Sequence, residues 1–137
     1  MSKFLIEDGI LKRYSGTDPH VVIPDGVTEI GYDAFRYCQT IISVTIPDSV
    51  VRIGKSAFEN CESLRSVVIP DSVTEIGEDA FQSCKALASV FVPESVIAIG
   101  ENAFGFPPLT VACSEDSYAH RYCKYRDIPT KPKLIWP

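Results

Sequence analysis

The chain is predicted to fold as a β-dominated solenoid, a stack of short coils with parallel sheets and brief helical turns, and three observations predict it. Pro24, Pro47, Pro70 and Pro93 recur at a step of 23 residues. Val21, Val44, Val67 and Val90 precede them with the same step; Gly31, Gly54, Gly77 and Gly100, then Phe35, Phe58, Phe81 and Phe104, follow. The repeat stops near both termini, as it must when coils that bury their apolar sides against each other need closing at the ends. At 137 residues the chain is one domain over 1–137.

The N-terminal segment 1–20 reads as a capping hairpin. Its turn falls at Asp8-Gly9, a pair suited to two-residue β-turns. Four repeats follow, at 21–43, 44–66, 67–89 and 90–110. In the third, Ser66 to Ile69 alternates outward residues with Val67 and Ile69, the period of a half-buried strand. Pro70 ends that strand, because proline lacks the N–H that a ladder needs, and Asp71 and Ser72 supply turn chemistry. Val73 to Ile76 is a second short β-rich run, and Gly77 turns the chain.

Asp33, Ser56, Asp79 and Asn102 each precede an Ala-Phe pair and are N-cap residue types. Ser56 to Glu59 and Asp79 to Gln82 have capping-box spacing, so a helix of one or two turns is expected there. Each coil then closes at a residue such as Leu87. The fourth is shorter, because Phe106-Pro107-Pro108-Leu109 replaces its cysteine-containing stretch. Residues 111–137 form the C-terminal cap and tail. Within them Ala119 and Cys123, spaced i and i+4 on a short helix, are expected to face the last coil.

Stacking places like residues in columns: Val21 to Val90, Ile23 to Val92, Ile30 to Ile99 and the four phenylalanines. Each fully buried member contributes roughly 1.5–3 kcal/mol, so these columns read as core rather than as sites.

The phrase Leu-x-x-Val-x-Ile-Pro-x-Ser-Val-x-x-Ile-Gly-x-x-Ala-Phe-x-x-Cys, as in Leu64 to Cys84, closely resembles the leucine-rich repeats of the BspA type. The match covers residues 21 to about 113, and the segments 6–16 and 117–125 are similar to the ends of such arrays. The resemblance implies a right-handed leucine-rich-repeat solenoid of the β/α superhelix class, with a parallel sheet on its concave side. It also implies bacterial proteins, many of them at the cell surface, that bind other proteins rather than catalyse; some members adhere to host or bacterial proteins.

Composition narrows the classes further. A net charge of −5 with no basic stripe argues against nucleic acid. The N-terminus has no apolar run suited to a signal peptide, and no stretch approaches the roughly 20 apolar residues of a membrane helix. The expectation is a soluble cytoplasmic protein as written, or a surface or secreted one if a leader has been removed.

Cys38, Cys61 and Cys84 share one repeat position, and Cys113 and Cys123 lie in the C-terminal segment. Neighbouring rungs about 5 Å apart would permit bridging. Free thiols are the expected state, since cysteine packs as a small buried hydrophobe and the count of five is odd.

Chemistry-bearing motifs are sparse. His120-x-x-Cys123 offers two ligands where a structural metal needs four. The row Asp25, Asp48, Asp71 and Glu94 could gather calcium, yet each residue is explained by turn chemistry. The glycines are single and periodic, without a phosphate loop. No cofactor, metal or catalytic residue is expected.

The candidate site lies instead on the outward side of the strands. There Val22, Thr45, Val68 and Phe91 form one row, flanked by His20, Ser43, Ser66 and Ser89. Apolar residues in such a row suit a protein contact; the competing explanation is that β-branched residues simply favour strands, which accounts less well for Phe91. The expected function is a non-catalytic protein–protein interaction scaffold working through the concave face. The alternative is a bacterial cell-surface or secreted adhesin.

Overall fold

The computed structural model describes residues 3–105 and 109–133 as a solenoid of stacked coils with three walls. The hairpin is formed by β1 (Phe4–Glu7) and β2 (Ile10–Tyr14), paired antiparallel. Asp8 and Gly9 both take positive φ, 52° and 79°, as a two-residue turn matched to strand twist requires. Tyr14 is buried, and its hydroxyl lies 3.2 Å from Asp18, which also pairs with Lys3 at 2.7 Å.

The coils then supply two strands each. The longer ones are β3 (His20–Val22), β5 (Ser43–Thr45), β7 (Ser66–Val68) and β9 (Ser89–Phe91). The two-residue ones are β4 (Glu29–Ile30), β6 (Arg52–Ile53), β8 (Glu75–Ile76) and β10 (Ala98–Ile99). After them come β11 (Thr110–Cys113), α1 (Tyr118–Tyr125) and β12 (Thr130–Pro132). Two sheets result, ordered β1-β2-β4-β6-β8-β10 and β12-β11-β9-β7-β5-β3, and every pairing except that of the hairpin is parallel.

The third wall corrects one expectation. The Ala-Phe segments are runs of tight turns and not helical starts. Ala34 N–H donates to the Gly31 carbonyl at 3.2 Å, Arg36 to Asp33 at 3.1 Å and Cys38 to Phe35 at 3.1 Å. Asp33, Ser56, Asp79 and Asn102 have φ between 55° and 59°. An N-cap is extended, so these residues do not cap; Asp and Asn serve because they tolerate the left-handed region. Alternate N–H groups leave the turns for the next coil, Phe35 to Ala57 O at 2.7 Å and Tyr37 to Glu59 O at 2.9 Å. This wall is therefore hydrogen-bonded along the stack, as the sheets are.

The columns are core. Phe35, Phe58, Phe81, Ile30, Ile53 and Ile76 are all essentially inaccessible. Phe35 and Phe58 stack at 4.9 Å between ring centroids, and Phe58 and Phe81 at 5.1 Å. The glycine column answers to close approach: a Cβ on Gly77 would meet the Lys55 backbone nitrogen at 2.7 Å. Coils pack there backbone against backbone, which only glycine permits.

At the C-terminal end the step shortens, because Ser89 pairs with Thr110 where Ser66 pairs with Ser89. Leu109 is buried; Phe106, Pro107 and Pro108 lie outside the described residues. The sheet of short strands stops at β10, and α1 takes the next place in the stack. Ala119 and Cys123 are fully buried as the i, i+4 spacing predicts, and the Tyr122 hydroxyl donates to the Gly100 carbonyl at 2.6 Å. Ser117 caps the helix, accepting from the His120 N–H at 3.1 Å. β12, not foreseen from the sequence, adds parallel to β11. Among the described residues no helix is long and apolar enough to cross a membrane.

Candidate functional site

Strand alternation builds the candidate surface. On β3, β5, β7 and β9 the central valines point inward, so the residues on either side of each face out. Pairing aligns His20 with Ser43, Ser43 with Ser66 and Ser66 with Ser89. It also aligns Val22 with Thr45 and Val68 with Phe91. The hydroxyl-bearing row is thus continuous by pairing, and the apolar row is aligned in two pairs.

Their exposure is uneven. Val22 is 67% and Val68 49% accessible, and Thr45 is exposed. Phe91, expected in the open, is half-buried. It is aligned with Ala112 of β11, which is fully buried, so the end of the row lies under more of the protein than its middle.

A groove of about 620 Å³ runs along this face, lined by Ser43, Thr45, Ser66, Val68, Phe91 and the carboxylates Asp48 and Asp71. Val22 and Ser89 are not among its lining residues. A second groove of about 350 Å³ continues past Asp71 and Phe91 to Glu94. Lys133 lines both grooves, and its Nζ stands 4.0 Å from the Glu94 carboxylate. Lys131 Nζ donates to Ser89 Oγ at 3.4 Å, while His20 Nδ1 and Ser43 Oγ share a hydrogen bond of 2.7 Å.

The acidic rim and the two lysines are what sequence reasoning missed. The acids were visible as a column but assigned only to turns. The lysines were hidden because Thr130-Lys131-Pro132 has poor strand propensity, so nothing local placed it on this sheet.

Reactive groups are few. All five cysteines are free; Cys61, Cys113 and Cys123 are buried, and Cys38 and Cys84 are half-buried. Burial pushes the Cys84 thiol up to about 12 and the Cys123 thiol up to about 12, and drives Cys61 upward as well. Cys61 and Cys84 donate to the Phe35 and Phe58 carbonyls, each at 3.1 Å. Such thiols pack and do not attack, since the thiolate is the nucleophile. His120 accepts at Nδ1 from the Asp116 N–H at 3.1 Å. Among the described residues no cluster of three His, Cys, Asp or Glu side chains is placed to hold a metal. The arrangement offers a surface with an apolar centre, hydroxyls on one side and carboxylates on the other.

Known proteins share this architecture. The chain is similar to the crystal structure of a leucine-rich repeat protein from Bacteroides capillosus, at 30% identity and a TM-score of 0.71, covering 83% of this chain and 96% of that one. A T. pallidum leucine-rich repeat protein is 27% identical with a TM-score of 0.64, over 91% of this chain and 74% of its own. A leucine-rich cell surface protein from Faecalibacterium prausnitzii is 31% identical with a TM-score of 0.54, over 81% of this chain but only 37% of its own. Among curated proteins none matches. Residues 13–125 match the family described as BspA type leucine-rich repeat region, in 6 copies. With its coils, sheets and column residues in the same pattern, the chain belongs to the BspA-type leucine-rich-repeat family.

Proposed function

We propose that this chain is a non-catalytic binding module that holds a protein partner against the outward, concave row of its longer strands. The observation that carries this reading is the groove floored by Val68 and Phe91 and flanked by Ser66. Val22 and Val68 expose apolar area in the same row, on either side of Thr45. Desolvating such a patch is the main favourable term in most protein association, and an aromatic at its centre is a common anchor. On the other sheet the outward strand column Glu29, Arg52 and Glu75 is closed by ion pairs at 3.0 and 3.7 Å, while Val51 and Ile97 are exposed in the column just before it.

The test is capture of partners from the source cell by the parent protein, Val68→Ser, Phe91→Ser and Glu75→Ser, each checked for folding by urea melt. A partner held through this face is kept by Glu75→Ser and weakened by about 2 kcal/mol in the groove variants. Equal capture by all four proteins places the working surface elsewhere.

A second reading is a cell-surface or secreted adhesin. It is favoured by likeness to the Faecalibacterium prausnitzii protein, itself described as a cell surface protein. Protease treatment of intact source cells decides it: an adhesin is digested, an internal module is protected.

A further inference from the structure

We propose that the occupant of this groove is an extended, lysine- or arginine-bearing segment of another protein, its cations on the Asp48 and Asp71 rim and its apolar side chains over Val68 and Phe91. The inference rests on the binding-module reading above and names the chemistry of the partner.

Four observations support it. First, Asp25, Asp48 and Asp71 are exposed, and among the described residues none has a cation within ion-pair distance. Among the described residues their side chains make no hydrogen bond that would assign them to the turns; the turns are closed by backbone, Val50 N–H to Pro47 O and Val73 N–H to Pro70 O, both at 3.1 Å. Asp25, Asp48 and Asp71 occupy the same turn position in successive coils, so they line one edge of the face with like charge. A cation placed there gains attraction from more than one of them.

Second, the chain itself shows how the column is satisfied. Glu94, the last member, is met by Lys133. Lys131, two residues earlier and within β12, reaches Ser89 in the flanking row. The last coil is thus read by its own Lys-x-Lys segment, while the equivalent positions in the preceding coils, Asp71 with Ser66 and Asp48 with Ser43, stand along the open groove.

Third, the solenoid can close a carboxylate column from within, as Arg52 does between Glu29 and Glu75 on the other sheet, and no such residue stands between Asp48 and Asp71 among the described residues. Fourth, the occupant cannot be chosen by charge alone. The floor between hydroxyl row and acid rim is Val68 and Phe91, so apolar side chains must alternate with the basic ones. A second copy of this chain fits poorly: at a net charge of −5 it would bring an acidic rim to an acidic rim.

The probe is a random linear peptide library displayed on phage and panned against the intact protein. Recovered peptides are then synthesised and measured by fluorescence anisotropy. Peptides rich in Lys or Arg alternating with aromatic or aliphatic residues are expected. Their affinity should fall about tenfold in Asp48→Asn/Asp71→Asn, with a flatter salt dependence, and stay unchanged in Glu75→Gln. Peptides that bind, are lost in Val68→Ser and carry no basic residues overturn this inference while leaving the binding face intact. Peptides indifferent to Val68→Ser, or the recovery of none, overturn both. Self-association abolished by Val68→Ser in sedimentation makes the occupant a second copy and also overturns the inference.

Discussion

The middle of the stack and its C-terminal end are built from the same residue types, and they pack differently. Phe35, Phe58 and Phe81 lie almost parallel, at 4° and 1°, with centroids 4.9 and 5.1 Å apart. Phe81 to Phe104 opens to 6.1 Å, and the next ring, Tyr122 of the cap helix, meets Phe104 edge-on at 80°. In the middle each core column residue has a like residue on both sides, so one side-chain shape and one backbone path satisfy the core contacts at once. At the end the copy is missing on one side. The protein closes that side with elements of another kind: a shortened coil, a helix and a strand returning from further along the chain. Repetition confers stability only between like neighbours, and an end needs a sequence of its own.

The largest expected effect tests that contrast. Phe58→Ala removes a ring held between two parallel neighbours and should cost about 3–5 kcal/mol. Phe104→Ala removes a ring with one wider stacked neighbour and one edge contact, and should cost distinctly less. Urea melts of the two variants decide it. Equal losses would mean that the cap supports the column as well as a coil does.

The thiols probe the same contrast through pH and labelling. Burial raises Cys61 in the middle and Cys123 at the end, and both are fully buried. A native pKa raised above the unfolded value contributes stability that is complete below the unfolded thiol pKa, roughly 8.5. That contribution is lost as pH climbs toward the native value, about 12 for Cys84 and Cys123. The urea midpoint should therefore fall as pH rises through this window, and Cys84→Ala and Cys123→Ala should each flatten the slope. At neutral pH, Cys123 should be alkylated before Cys61, because end elements open at lower free energy than the middle. Simultaneous labelling would show that cap and coils open as one unit.

The contrast also explains what could be read in advance. The columns, the Asp8-Gly9 hairpin and the Ala119/Cys123 face of the cap helix were legible because each rests on a period or on a local backbone preference. The turn wall was misread for a specific reason. Asp, Asn and Ser serve both as helix caps and as residues in tight turns, and only the stacking of the next coil selects the turn. β12 was illegible because the edge of β11, and no propensity of Thr130-Lys131-Pro132, makes it a strand. The placing of Lys133 beside Glu94 follows from that same returning strand, so the least legible part of the chain adjoins the candidate site.

Tyr122→Phe isolates one polar tie of the cap. The hydroxyl donates to Gly100 O at 2.6 Å, and the ring would keep its place against Phe104. Removing the hydroxyl leaves a carbonyl at the edge of the short-strand sheet without that donor and should cost about 1 kcal/mol. Amide exchange should quicken in α1 and around Gly100 while the Phe58 region keeps its protection. Uniform acceleration along the stack would show that the cap governs the middle and would remove the distinction between the two regions.

The smallest effect separates two arginines in exposed ion pairs. Arg52 bridges Glu29 and Glu75 in the middle of the stack, and its side chain is half exposed. Exposed pairs of this kind are screened by salt and carry the entropy cost of holding long side chains, so Arg52→Ala should cost no more than about 0.5 kcal/mol. Arg126 pairs with Glu101 at 3.5 Å, and its guanidinium also lies 4.0 Å above the Tyr122 ring. A cation over an aromatic face adds roughly 0.5–1 kcal/mol. Arg126→Ala should therefore exceed Arg52→Ala by about that amount, and the excess should survive in high salt while the ion-pair part fades. A double variant with Tyr122→Leu locates the excess. If Arg126→Ala costs as much in the Leu background as in the parent, the ring is not its source, and the cap helix is held by its buried face of Ala119 and Cys123 without help from a cation over the ring.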